Sequence, residues 1–341
     1  MPQWPETIDT VEALEALLSR PSEKLVELMG SLDGDVMVLG AGGKIGPTLT
    51  RMALRAVADA GAKKDVLAVD VAPLPALADA GARTLACDLL DLSAVENLPR
   101  CPNVIYMAGR KFGSTGGEHL TWAMNVVVPY HVARTFTDSR IVVFSTGCVY
   151  PIVDVADGGA TERTPPDPVG EYSMSCLGRE RMFDYFSRTG GEKVLQFRLN
   201  YSVELRYGVL VDVAGKVFRG EPVDVTTGFA NVLWQADVCD RALRCLPLAD
   251  SPARALNVTG PETFSIREVA HEFGRLFGKD AEIAGEENGR GYLSDAAEAN
   301  RLFGPPSVTL EQVIRWTAHW IQRGGEELGK PTHFETQDGK Y

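Results

Sequence analysis

Three glycines at the end of one short apolar run constrain this chain more than any other feature. Val36-Met37-Val38-Leu39 leads straight into Gly40-Ala41-Gly42-Gly43-Lys44-Ile45-Gly46, and a helical pattern follows over roughly 45–59. Gly40, Gly43 and Gly46 form GxxGxxG. In a strand–turn–helix of this kind one glycine permits the tight bend and a second lets the backbone approach a pyrophosphate. The third lets the helix pack closely, with its N-terminus facing the phosphates. A glycine triplet alone is weak evidence, but here the required strand precedes it and the required helix follows.

Asp70 closes the next apolar run, VLAVD (66–70), and Val71 follows rather than an arginine. A carboxylate at that strand end accepts the adenosine ribose hydroxyls and repels a 2′-phosphate, so NAD is expected ahead of NADP. Lys44 is the loop residue able to receive the extra phosphate. The expected cofactor-binding set is Gly40, Gly43, Lys44, Ile45, Gly46 and Asp70. Asp88 and Leu89, after the third run, are placed beside the adenine. Ala108 and Gly109, after the fourth, let the cofactor lie against backbone.

Further short runs rich in Val, Ile and Leu occupy 84–88, 104–109, 141–145 and 193–199, most of them separated by helical stretches. Strands covered on both faces read this way, and the alternation predicts an α/β fold with a doubly wound parallel (Rossmann) sheet and right-handed crossovers. Beyond residue 200 Gly and Pro punctuate shorter elements, which predicts a smaller C-terminal α/β lobe. The expected division is an N-terminal helical extension over 1–33, a nucleotide-binding domain over 34–200 to which 236–258 returns, and a substrate-binding lobe over 201–341.

The net charge of −12 disfavours nucleic acid and anionic lipid as partners. No stretch is apolar enough to span a bilayer, the N-terminus lacks the pattern of a signal peptide, and the six cysteines have no metal-ligand spacing. A cytoplasmic protein with reduced thiols and no bound metal is expected.

Ser145-Thr146-Gly147-Cys148-Val149-Tyr150 closes the fifth run, and Gly170-Glu171-Tyr172-Ser173-Met174-Ser175-Cys176 comes later. With the glycine loop, Asp70, Ala108-Gly109 and Asn125 in order before them, and Asn257-Val258-Thr259-Gly260-Pro261-Glu262 after, the chain resembles the extended short-chain dehydrogenase/reductase superfamily. Within it, the resemblance is to the NAD-dependent epimerase/dehydratase family, over about residues 35–270. The resemblance implies that Tyr172 is the acid/base and contacts the cofactor, that Thr146 holds the reacting oxygen, and that Asn125 orders the catalytic helix. It also implies a homodimer joined through helices around 118–136 and 170–188. A phenol with a pKa of about 10 is a poor base at neutral pH unless positive charge lowers that value. The family supplies such charge from a lysine four residues after the tyrosine, where this chain has Cys176. Lys111 is the expected partial substitute in both the catalytic and cofactor sets, and Arg179 lies on the same helical face as Tyr172.

For the substrate, Asn200 or Tyr201 faces the reacting molecule; Arg206, Trp234 and His333 are candidates by location alone. The stretch Phe229–Gln235 lacks the basic residue that nucleotide-sugar enzymes place there for the diphosphate, which favours a smaller polyol, sugar or sugar acid. Dehydration is disfavoured because Gly147-Cys148 stands where the family's dehydratases carry Asp-Glu. The expected function is NAD-dependent oxidation or epimerisation at a carbinol carbon of a sugar, sugar acid or nucleotide-sugar. The alternative is a catalytically impaired NAD-binding regulatory or structural protein.

Overall fold

The computed structural model describes residues 4–111, 113, 116–330 and 332–339. Seven strands form one sheet: β1 (Val36–Leu39), β2 (Val66–Asp70), β3 (Arg83–Ala86), β4 (Asn103–Tyr106), β5 (Arg140–Thr146), β6 (Lys193–Leu199) and β7 (Arg254–Val258). Their order is β7-β6-β5-β4-β1-β2-β3, and every pairing is parallel. The sheet is the expected doubly wound one. Chain order reverses beside β1, so the carboxyl ends of β1 and β4 flank a crevice, the place where open α/β sheets receive ligands. Strands β1 and β4 are buried throughout, which is why they read as unbroken apolar runs.

The helix Gly46–Asp59 opens directly after the glycine loop, with Pro47 in its first turn, where the missing N–H leaves no bond unmade. The 21-residue helix Gly170–Gly190 carries Tyr172 and packs beside the segment 118–135. That segment is not one regular helix. Residues Ala123–Val127 adopt a wider π-helical turn between Glu118–Trp122 and Val128–Thr135, just ahead of Pro129, which has no N–H to donate.

The two N-terminal helices, Val11–Leu18 and Glu23–Ser31, pack on the Gly46–Asp59 and Gln235–Arg244 helices. Arg51 pairs with Glu15 at 2.5 Å, and the Ser22 amide donates to Asp240 at 3.1 Å. The region expected to form the smaller lobe holds the helices Val209–Arg219, Ile266–Phe277 and Leu310–Gln322 and two-stranded fragments such as Phe229–Ala230 with Phe264–Ser265. The helix Gln235–Arg244 packs on the helix Gly46–Asp59, and β7 joins the edge of the main sheet.

Candidate active site

The glycine loop is shaped by close backbone approaches. Gly40 has φ +85°, the left-handed region, and a Cβ there would stand 2.6 Å from the Ala108 nitrogen. A Cβ on Gly46 would stand 2.4 Å from the Ala41 carbonyl oxygen. The loop is tied to β2, since the Gly42 amide donates to Asp70 Oδ2 at 2.9 Å and the Ala72 amide donates to Asp70 Oδ1 at 3.2 Å.

A cleft of about 270 Å³ connects this loop to the carboxyl ends of β4, β5 and β6. It brings together Gly40, Gly43, Lys44, Ile45, Gly46, Lys111, Thr146, Tyr172, Asn200 and Tyr201 from the sequence-derived sets. Thr146 Oγ1 accepts from the Cys148 amide at 3.2 Å, capping the short turn Gly147–Val149 and setting its hydroxyl at the cleft wall. Gly147 has no room for a side chain, because a Cβ would stand 2.9 Å from Asn200 Oδ1. Tyr201 turns the chain out of β6 with φ +45°, a costly conformation for a non-glycine residue and one that concentrates at functional sites.

Burial pushes the Tyr172 phenol well above its ordinary value. The neighbouring thiols Cys176, to which it is hydrogen bonded, and Cys148 add to that shift, while the Arg179 guanidinium opposes it. Arg179 is itself buried; Nη1 donates to the Phe144 carbonyl at 2.7 Å and Nη2 to Asn125 Oδ1 at 2.7 Å. Gly109 is small for the same reason, since a Cβ there would collide with Arg179 Nη2 at 2.2 Å. Asn125 is fully used. Its Oδ1 also accepts from the Arg110 amide, and its Nδ2 donates to the Arg110 carbonyl and to Ser175 Oγ, each at 2.9 Å. It therefore ties the loop after β4 to the helix bearing Tyr172.

Lys44, expected as the loop's phosphate acceptor, and Lys111, expected as a partial substitute for the missing lysine, both line the cleft. Lys44 Nζ lies 3.1 Å from the centroid of the Tyr207 ring. Burial, with Lys111 and Lys330 nearby, lowers it to about 7. Lys111 Nζ donates to the Thr332 carbonyl at 3.2 Å and lies 5.7 Å from the centroid of the Tyr172 ring. Burial lowers its pKa as well.

Two substrate candidates are corrected. Arg206 does not reach the cleft: it pairs with Glu204 and with Glu15 of the N-terminal extension, each at 3.2 Å. Trp234 is a core residue packed against Trp316 at 5.5 Å between ring centroids. Asn200 is on the cleft wall, but its amide is engaged with Asn231 Oδ1 at 2.7 Å and the Tyr292 carbonyl at 2.8 Å. Asp88, Leu89, Ala108 and Gly109 lie outside the cleft lining; Asp88 accepts from the Leu90 amide and Ala108 backs Gly40. His333 follows Thr332 with a left-handed φ of 56°. Cys148, Tyr207, Gln235 and Thr332 line the cleft without having been identified as contacts. No local pattern marks them, because each arrives from a different part of the chain. Among the described residues no cluster of His, Cys, Asp and Glu is arranged for a metal ion, and no helix is long and apolar enough to cross a membrane.

No curated protein matches the chain. Among solved structures, MoeE5 in complex with UDP-glucose and NAD superposes with a TM-score of 0.68 at 22% identity, covering 85% of this chain and 99% of that one. The UDP-glucose 4-epimerase of Thermotoga maritima superposes with a TM-score of 0.70 at 18% identity, over 85% and 99%. The dTDP-glucose 4,6-dehydratase DesIV of Streptomyces venezuelae does so with a TM-score of 0.70 at 19% identity, over 85% and 97%. Residues 36–203, which hold the glycine loop, Thr146 and Tyr172, match the sequence model of the NAD dependent epimerase/dehydratase family.

Proposed function

We propose that the chain is an NAD-dependent oxidoreductase or epimerase acting at a carbinol carbon of a sugar, sugar acid or nucleotide-sugar. The observation that carries this is the single cleft joining the Gly40–Gly46 loop to the Tyr172 phenol and the Thr146 hydroxyl. The residues suit a dinucleotide. The loop offers side-chain-free backbone at Gly40 and Gly43 ahead of a helix N-terminus, the Lys44 and Lys111 amines line the cleft, and Asp70 stands at the loop's edge. MoeE5 and DesIV are described with NAD, and MoeE5 and the Thermotoga epimerase with UDP-glucose, which supports the same reading here.

NAD supplies a hydride acceptor when bound. In this chain Thr146 holds the substrate oxygen and Tyr172 exchanges its proton, while Asn125 keeps the loop after β4 and the Tyr172 helix in register. Asp70 takes the ribose hydroxyls. A second reading, an NAD-binding protein without turnover, is favoured by Cys176 standing where a lysine would assist Tyr172.

Titration of the purified protein is expected to show NAD binding more tightly than NADP. Asp70→Ala is expected to weaken NAD by about 10–100-fold, the effect of losing a charge-assisted hydrogen bond, and to narrow the preference. If neither nucleotide binds, the function proposed here is wrong.

The chain is also proposed to form a homodimer. Leu120, Trp122, Val127 and Tyr130 on one segment and Val169, Met174 and Tyr185 at or on the adjacent helix expose apolar side chains on neighbouring elements, and grouped exposure of this kind marks an interaction face. Tyr130→Glu with Met174→Glu is expected to halve the mass seen by sedimentation; an unchanged mass would place any contact elsewhere.

A further inference from the structure

The C-terminal segment Thr332–Gly339 is not a loose tail. Thr332 is buried, and its amide and hydroxyl donate to Asp212 Oδ2 at 2.8 and 2.5 Å while its carbonyl accepts from Lys111. Phe334 is buried in the core. Glu335 pairs with Lys216 at 2.7 Å, and its carbonyl accepts from Thr227 Oγ1 at 3.0 Å. Gln337 donates to the Thr226 carbonyl at 3.1 Å and to Thr227 Oγ1 at 3.0 Å. Gly339 then meets the start of the Tyr172 helix so closely that a Cβ on Gly170 would stand 2.5 Å from its carbonyl oxygen. Both glycines have positive φ, so the two backbones meet where neither can carry a side chain without strain.

This strap begins on the cleft wall, crosses the second lobe at the helix Val209–Arg219 and the loop 226–227, and ends two residues before Tyr172. A substrate with its reacting carbon between Thr146 and Tyr172 has the glycine loop on one side and the second lobe on the other. Any long arm has to leave along the lobe, where the strap lies. Lys216, a cation on that path, is already neutralised by Glu335, and Phe229–Gln235 adds no basic residue. The cleft's 270 Å³ is below the roughly 300–1,000 Å³ of sites that take drug-sized ligands, and part of it belongs to the cofactor.

We infer that the strap Thr332–Gly339 restricts the site to a compact sugar, polyol or sugar acid and excludes the nucleoside diphosphate arm of a nucleotide-sugar. This rests on the function proposed above for where the reacting carbon sits. The test is calorimetric titration with UDP and with NAD of three proteins: the full chain, a chain ending at Lys330, and full-length Glu335→Lys. The last sets like charge against Lys216 and frees the strap without removing Phe334; thermal melts establish that each is folded. UDP binding is expected to be at least about tenfold tighter in both altered proteins than in the intact chain, a change of about 1.4 kcal/mol. UDP binding equally to all three, or as weakly to the altered proteins as to the intact chain, overturns the inference. NAD failing to bind any of them would remove the proposed function, while the UDP comparison would still decide what the strap does.

Discussion

Tyr172→Phe is expected to lower turnover by roughly 10²–10⁴-fold, the usual contribution of a positioned acid/base, while leaving NAD affinity within about threefold. The substitution removes only the hydroxyl, so the ring packing is kept. The measurement is the rate of absorbance change at 340 nm, with NAD titration as the control for the cofactor site. The expected pH dependence follows from the sign of the shift at Tyr172. Burial disfavours the charged phenolate, so its pKa is raised and the phenol is neutral in the free protein at physiological pH. Oxidation, which needs the base form, should therefore quicken with rising pH well into the alkaline range. Cys176→Lys places a cation one helical turn from the phenol and should move that limb to lower pH. Turnover unaffected by Tyr172→Phe would remove Tyr172 as the acid/base, and no turnover by the intact protein across a panel of sugars, sugar acids and nucleotide-sugars would favour the non-catalytic reading.

Glu180→Ala is expected to destabilise the protein by about 3–5 kcal/mol, as removal of one partner of a buried ion pair does. Glu180 and Arg198 are both buried and joined by two hydrogen bonds, Arg198 Nε to Oε1 at 2.9 Å and Nη2 to Oε2 at 2.7 Å. Ser145 Oγ, on the cleft wall, donates to the same carboxylate at 2.6 Å. Arg198 Nη1 donates to Tyr150 Oη at 2.6 Å, and Tyr150 Oη donates to Asn257 Oδ1 at 2.8 Å. Without Glu180 the guanidinium is left charged and uncompensated between β5, β6 and the Tyr172 helix. The exposed pair Arg188–Asp184 is the internal control: Asp184→Ala should cost less than about 1 kcal/mol. Urea denaturation separates the two, and comparable losses would show that the buried network is not what holds these elements together.

The parts of this protein legible in the sequence are those governed by neighbours along the chain. Unbroken Val/Ile/Leu runs mark strands buried on both faces, and they coincide with the observed sheet except at its edge, where no residue of β3 is buried. The glycine loop is readable because a left-handed turn and a close backbone approach both require glycine at fixed spacing, as Gly40 and Gly46 show. Asp70 is readable because its function depends on ending the strand beside that turn.

The failures share one cause. Arg206 lies a few residues beyond Tyr201 and looked eligible for the same cleft, yet its guanidinium is drawn to Glu204 and to Glu15 of the N-terminal extension. Trp234 was eligible by position but is held in the core by Trp316. Arg179 was legible only as a residue on the Tyr172 face; that its guanidinium is locked between Phe144 and Asn125, filling the space a side chain at Gly109 would take, depends on three separate elements. The strap was marked only by His333, and by location alone, because its polar anchors have no periodicity. Their partners, Asp212, Lys216, Thr226 and Thr227, are brought beside it only when the second lobe folds back on the sheet. Local steric and hydrophobic rules thus wrote the sheet and the nucleotide turn into the sequence. What lines and closes the cleft was decided by tertiary packing, because long-range charge pairing and burial choose among side chains that look alike in one dimension.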